Sequence, residues 1–281
     1  MDLGELLATV KFPPRLAAVH AHPDDETLFT GAALALAADL GYQIRLVCLT
    51  GGEAPELAVP IAQASSARLA AAAQRRLPKL VAACADLGVT DIDATCGFID
   101  AAGANHPLAL HRAGIDAIAD LVRRKLAEFD PAIVLTLDAD GVTGHGDHIA
   151  AATAVRHAVA ALPAATRPMV LAAAVPAEIV ARAHSTLGDV TKDRVGSGRL
   201  VGTRAAITHT VACGACGDRK RAAMDRYRPG LGTAKLTNLI ANWPGRDDTL
   251  LARAILDELG RAGLAETYVT AQPPRHQRAG R

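Results

Sequence analysis

Short apolar runs alternate with longer stretches in helical rhythm along the first part of the chain, the order expected of βαβ units and a largely parallel sheet. Residues 16–21, 44–50 and 133–137 are almost wholly apolar and predict buried strands, and 91–95 predicts a short one. Residues 27–40 predict a helix stopped by Gly41. Residues 63–87 predict a long alanine-rich helix closed by Gly88, a residue that readily takes the left-handed turn ending a helix. Pro78 within that stretch predicts a kink or a break into two helices, because proline removes an amide donor and crowds the preceding turn. Residues 113–129 predict a helix with Arg123, Arg124 and Lys125 near its C-terminal end, where cations suit the dipole, and the next helix is expected from His148 to Ala161.

Beyond Pro163 the pattern weakens. Residues 170–175 and 205–211 predict strands, separated by a stretch containing Gly196, Ser197 and Gly198, and 222–227 and 249–259 predict helices. Residues 272–281 combine two prolines with several cations and no apolar rhythm, and are expected to form a disordered basic tail. With no internal repeat and no long linker, residues 1–271 read as one domain. The fold class expected is α/β and Rossmann-like, a mostly parallel sheet flanked by helices.

Composition narrows the classes of function. The chain has 281 residues, half of them hydrophobic and 21% charged, enough for a sizeable core. Thirty basic and 29 acidic residues give a net charge of +1, so no global field draws the protein to nucleic acid or an anionic membrane. Aromatic residues are 3%, too few for base-stacking platforms, and no apolar run is long enough to span a bilayer. The acidic start of the chain and five cysteines without a disulfide-scaffold pattern point to a reducing, cytoplasmic setting. Homo-oligomers are compatible with this composition.

The candidate chemistry lies directly after two of the predicted strands. Ala21-His22-Pro23-Asp24-Asp25-Glu26 follows the first, and Gly144-His145-Gly146-Asp147-His148 comes a few residues after 133–137. In an open parallel sheet, ligands bind outside the carboxyl ends of the strands, so the topology brings these distant segments together. A catalytic zinc typically takes three His or carboxylate ligands and leaves a position for water; His22, Asp25 and His148 suit that set. Asp24 is then placed to accept a proton from water. His145, as an imidazolium, would stabilise an oxyanion and protonate a leaving nitrogen, with Asp147 holding its orientation. The bland alternative for Asp24, Asp25 and Glu26 is that they cap the helix that follows.

The two segments resemble those of the PIG-L/LmbE family of zinc-dependent N-acetylglucosaminyl de-N-acetylases, over roughly residues 15–155. The resemblance implies zinc on His22, Asp25 and His148, Asp24 as general base, His145 as the charge-stabilising histidine and Asp147 as its partner. Iron(II) suits the same ligands. Arg76 matches a family arginine that contacts substrate, although Lys79 replaces the glutamate that often follows three residues on. Glu53, after the second strand, resembles a residue of the family's second loop. Thr143 stands where mycothiol-pathway members carry a tyrosine. The expected activity is metal-dependent hydrolysis of an N-acetyl or other N-acyl group on an amino sugar or its conjugate. The alternative is an amidase or deacylase acting through the same site on a larger sugar conjugate or secondary metabolite.

Other signals read as structural. Cys213 and Cys216 form a lone Cys-x-x-Cys, with His209 nearby, and read as ordinary reduced cysteines. His106, His111, His157, His184 and His276 carry no ligand spacing. His20 is expected to point away from His22's site, and Arg219, Lys220 and Arg221 to form a solvated face. No Gly-x-Gly-x-x-Gly, phosphate-binding Gly-Lys loop or Gly-x-Ser-x-Gly is present, which removes the main support for dinucleotide, nucleotide and serine-hydrolase readings.

Overall fold

A computed structural model of the chain describes residues 1–10, 14–94, 96–101, 105–188, 202–212, 214–243, 249–261 and 266–271. Cys213, His276, the 196–198 stretch and the 272–281 tail lie outside the described residues. Seven strands form one sheet: β1 (Arg15–His20), β2 (Gln43–Cys48), β3 (Asp91–Asp93), β4 (Ile133–Leu137), β5 (Met169–Ala173), β6 (His209–Val211) and β7 (Glu266–Thr270), in the order β3-β2-β1-β4-β5-β7-β6. The first five are mutually parallel, and β7 runs antiparallel to both β5 and β6. The α/β, mostly parallel, single-domain expectation is met. The antiparallel edge was not foreseen.

The sheet separates two apolar layers. Helices Gly31–Asp39, Ser66–Leu87 and Thr249–Arg261 pack against one face, and Ile115–Phe129 and Gly146–Ala160 against the other. β4 is buried along its whole length, which is why it is apolar except at Thr136. Ile115–Phe129 turns Ile118, Ala119, Val122 and Leu126 inward, a stripe at helical spacing.

Two helical expectations need correction. The helix expected over 27–40 is two, Asp25–Phe29 and Gly31–Asp39, interrupted at Thr30 (φ −131°, ψ 8°). The Thr30 hydroxyl donates to the Glu26 carbonyl and also meets His20 Nε2, at 2.9 Å, so a local side-chain contact displaces the regular turn. Conversely, Ser66–Leu87 runs unbroken through Pro78. Pro78 lies on the exposed face, where water can serve the carbonyl that proline leaves without a donor. In the C-terminal half, the strand expected over 205–211 is only His209–Val211, and the helix expected over 222–227 begins at Ala215. Helices Leu3–Ala8, Ala177–Leu187 and Leu236–Asn242 add to the expected set. No helix among the described residues is long and apolar enough to cross a membrane.

Candidate metal centre and hydrolytic site

The chain runs outward from β1 to β2 and β3, then returns to place β4 on the other side of β1. The crevice at that reversal, beyond the carboxyl ends of β1 and β4, is where an open sheet binds ligands. His22, Asp24 and Asp25 follow β1, and His145, Asp147 and His148 follow β4. Gly141 makes the second loop possible. It holds φ +70°, and a Cβ there would stand 2.9 Å from the Cβ of His148.

Three candidate ligand side chains converge. His22 Nδ1 lies 3.2 Å from His148 Nε2, His148 Nε2 lies 3.1 Å from Asp25 Oδ1, and His22 Nδ1 lies 3.8 Å from Asp25 Oδ2. Ligands bound tetrahedrally to a zinc-sized ion at their usual bond lengths stand about 3.4 Å apart, so this set fits a divalent ion. The outer nitrogens fix the tautomers. His148 Nδ1 donates to the Gly141 carbonyl at 3.0 Å, and His22 Nε2 donates to Asp147 Oδ2 at 3.1 Å. Both lone pairs therefore face inward beside a carboxylate, an arrangement that calls for a cation.

The electrostatics agree. Burial works against a proton on His22, but Asp100, Asp147 and Asp25 outweigh it and raise its pKa to about 10. His148 also rises: burial opposes this, and Asp25 prevails. Burial would lift Asp25, yet His148 and then His22 hold it well below the usual carboxylate range. The cluster is rich in negative charge, which favours a cation among these side chains.

Asp24 differs from Asp25. It stands at φ 126°, ψ −23°, a left-handed conformation that costs a side-chain-bearing residue about 1–3 kcal/mol. Its carboxylate makes no capping bond to the helix, so the bland reading does not hold for Asp24, while Asp25 and Glu26 do lie in the first turn. Instead it pairs with Arg76, and its own amide donates to Glu26 Oε2 at 2.9 Å. Burial raises Asp24 to about 6, with Arg76 pulling it down and Asp25 pushing it up.

Three expectations change in detail. Asp147 meets His145 through its backbone, its amide donating to His145 Nδ1 at 3.2 Å. Its carboxylate serves His22, and also accepts from the backbone amide of His111 at 2.7 Å while meeting His111 Nδ1 at 2.9 Å. His145 is not poised as an imidazolium: burial first, then the charges of His22 and His148, lower it to about 4. With Nδ1 occupied as an acceptor, the neutral ring carries its proton on Nε2. Arg76, read as a substrate contact, is 5% exposed and directs its guanidinium to Pro23 O (2.8 and 3.2 Å), to Asp24 and to Glu56. It backs Asp24 rather than facing an open cleft.

Asp100 was not singled out from the sequence, and His111, His20 and Lys220 are placed otherwise than expected. Asp100 Oδ1 lies 3.7 Å from His22 Nε2, and the Asp100 amide donates to Glu53 Oε2. His111, set aside as a lone histidine, holds Asp147. His20 is buried and meets Thr30 Oγ1 through Nε2 at 2.9 Å, yet it is not remote from the site: it is close enough for Asp25 and His148 to act on its charge. Lys220 is buried and paired with Glu266 at 2.6 Å, not solvated.

Comparison with known proteins places this geometry. The PIG-L family, described as GlcNAc-PI de-N-acetylase, matches residues 17–159. A relative named 1D-myo-inositol 2-acetamido-2-deoxy-alpha-D-glucopyranoside deacetylase, from Acidothermus cellulolyticus, is 35% identical over 233 residues, covering 74% of this chain and 77% of the relative. Several relatives of the same description match over about half their own length. Among solved structures, the teicoplanin deacetylase Orf2 in its zinc-inhibited form covers 92% of this chain and 99% of its own at 21% identity, with a TM-score of 0.58. GalB, a 4-carboxy-2-hydroxymuconate hydratase from Pseudomonas putida, covers 92% and 97% at 19% identity, with a TM-score of 0.55. A hydratase and a deacetylase thus share this fold, and the fold alone does not choose the reaction. The matched segment contains both post-strand loops and Arg76, and on that match the chain belongs to the PIG-L family of N-acetylglucosaminyl de-N-acetylases.

Proposed function

We propose that this deacetylase removes the N-acetyl group of an amino-sugar conjugate with a divalent ion, zinc or iron(II), held by His22 Nδ1, His148 Nε2 and Asp25. One observation carries the reading: three inward-facing donors at 3.1 to 3.8 Å stand beside a strained carboxylate that is not itself among them. When bound, the ion supplies Lewis acidity, which acidifies water and polarises the amide carbonyl. Asp24 takes the proton of the attacking water. His145 offers its Nε2–H to the oxygen on which negative charge develops. As the C–N bond breaks, the proton that Asp24 has accepted is available to the departing nitrogen. Asp147 orients His22, and Arg76 keeps the Asp24 carboxylate in place. The free cysteines Cys48, Cys84, Cys96 and Cys216 accord with a reducing compartment.

The test is acetate release by metal-loaded protein from N-acetylglucosamine and its inositol and larger conjugates, with Asp24→Asn as control. Acetate from the parent alone supports the reading. Equal release by the variant would overturn the base assignment, and failure of the parent to take up an ion would overturn the site.

A further inference from the structure

Tyr227 ends the Ala215–Tyr227 helix, outside the segment that matches the family, and is 7% exposed. Its hydroxyl donates to Glu26 Oε1 at 2.7 Å, and the other oxygen of Glu26 accepts the Asp24 amide at 2.9 Å. Its ring lies under the Arg76 guanidinium, 4.5 Å from carbon to centroid. Arg76 in turn holds the Asp24 carboxylate and the Pro23 carbonyl. Asp24 is therefore gripped at its amide, its carboxylate and the peptide before it, and both routes lead back to one phenol. A residue with a side chain keeps φ 126° only where its surroundings over-determine it. Glu26 is fully buried and spends one carboxylate oxygen on the Asp24 amide and the other on the Tyr227 hydroxyl, so its carboxylate serves this scaffold.

We infer that Tyr227 and Glu26 are positioning residues that hold Asp24 in its productive conformation, so that a residue late in the chain sets the turnover of a site whose reacting groups all lie within the segment that matches the family. The inference rests on the reading of Asp24 as the base. A purely structural role for Tyr227 makes a different forecast: substitutions would lower stability and leave turnover per folded, ion-loaded molecule unchanged.

Tyr227→Phe separates the two, because it keeps the ring under Arg76 and removes only the hydroxyl. Assayed on N-acetylglucosamine α-linked to inositol, it should lower kcat by about tenfold to a hundredfold, the range for displaced reacting groups, with KM and bound ion per chain held. Glu26→Ala should do the same. Glu26→Gln should recover most of the loss, since its amide oxygen accepts the Asp24 N–H and its NH2 donates to the phenol oxygen. A crystal structure of Tyr227→Phe supplies a readout independent of substrate: Asp24 should leave positive φ or part from Arg76. Parent-like kcat in Tyr227→Phe with an unmoved Asp24 overturns the inference. If Asp24→Asn keeps full turnover, the base assignment falls instead, and the crystal structure alone decides whether Tyr227 positions that residue.

Discussion

The two halves of the molecule are built by different rules. From β1 to the Gly146–Ala160 helix the sheet is parallel, and every candidate reacting group stands at its carboxyl edge. From β5 onward the sheet finishes with the antiparallel strands β7 and β6, and two buried polar side chains, Glu266 and Tyr227, reach into the other half. Glu266 on β7 accepts the amides of Ala32 and Ala33 at 2.7 and 3.0 Å, capping the Gly31–Asp39 helix with a carboxylate where the dipole favours one. Tyr227 does the corresponding work at the Asp24 loop. One half supplies ligands and a base, and the other supplies struts. A parallel edge gathers side chains from distant segments, but short loops fix them incompletely, and later chain completes the hold.

The sharpest way to break this division is to remove ligands. His22→Ala and His148→Ala should each lose the bound ion and all turnover while the fold persists, which elemental analysis beside circular dichroism would show. Full ion content in either variant would move the metal site elsewhere. Asp24→Asn comes next: it should retain the ion and lose turnover by about 10²- to 10⁴-fold, the usual worth of a general base. Asp147→Asn should have a smaller effect. It leaves the three ligands in place but weakens the hold on His22, so ion affinity measured against a competing chelator should fall by about 10- to 100-fold. Unchanged affinity would confine Asp147 to its contact with His111.

The parallel half was legible because its physics is local. Apart from Arg15, His20 and Thr136, β1 and β4 are apolar, and the histidines and aspartates follow them within a loop's length. Asp100 escaped because Phe98 and Ile99, which make only isolated bridges to Thr50 and Ala109, are too short a run to announce a strand edge. His111 and Lys220 escaped for another reason. Their burial is settled by partners far along the chain, Asp147 and Glu266, and no local pattern distinguishes a charge that will be paired from one that will be solvated. β7 reads Glu-Thr-Tyr-Val-Thr, polar enough to hide a strand of which four residues are buried. The downward shift of His145 was equally out of reach, since it follows from burial and then from two other histidines brought to the same edge.

The smallest expected effect sharpens the contrast most, because the molecule contains two buried tyrosine–glutamate pairs. Tyr268 OH donates to Glu266 Oε2 at 2.6 Å, as Tyr227 OH does to Glu26. Glu266 also takes two helix amides and Lys220, so losing one phenol leaves it well bonded. Tyr268→Phe should therefore cost about 1 kcal/mol, the net worth of one hydrogen bond. In a chain of this size that lowers Tm by about 2–4 °C. Its kcat and ion content should match the parent, because Glu266 braces a helix end and contacts no candidate reacting group. The same one-atom change at Tyr227 should spare most of the stability and reduce kcat. If Tyr268→Phe lowered kcat as strongly, the C-terminal half would be acting on the site as a whole, and the separate strut assigned to Tyr227 would lose its meaning.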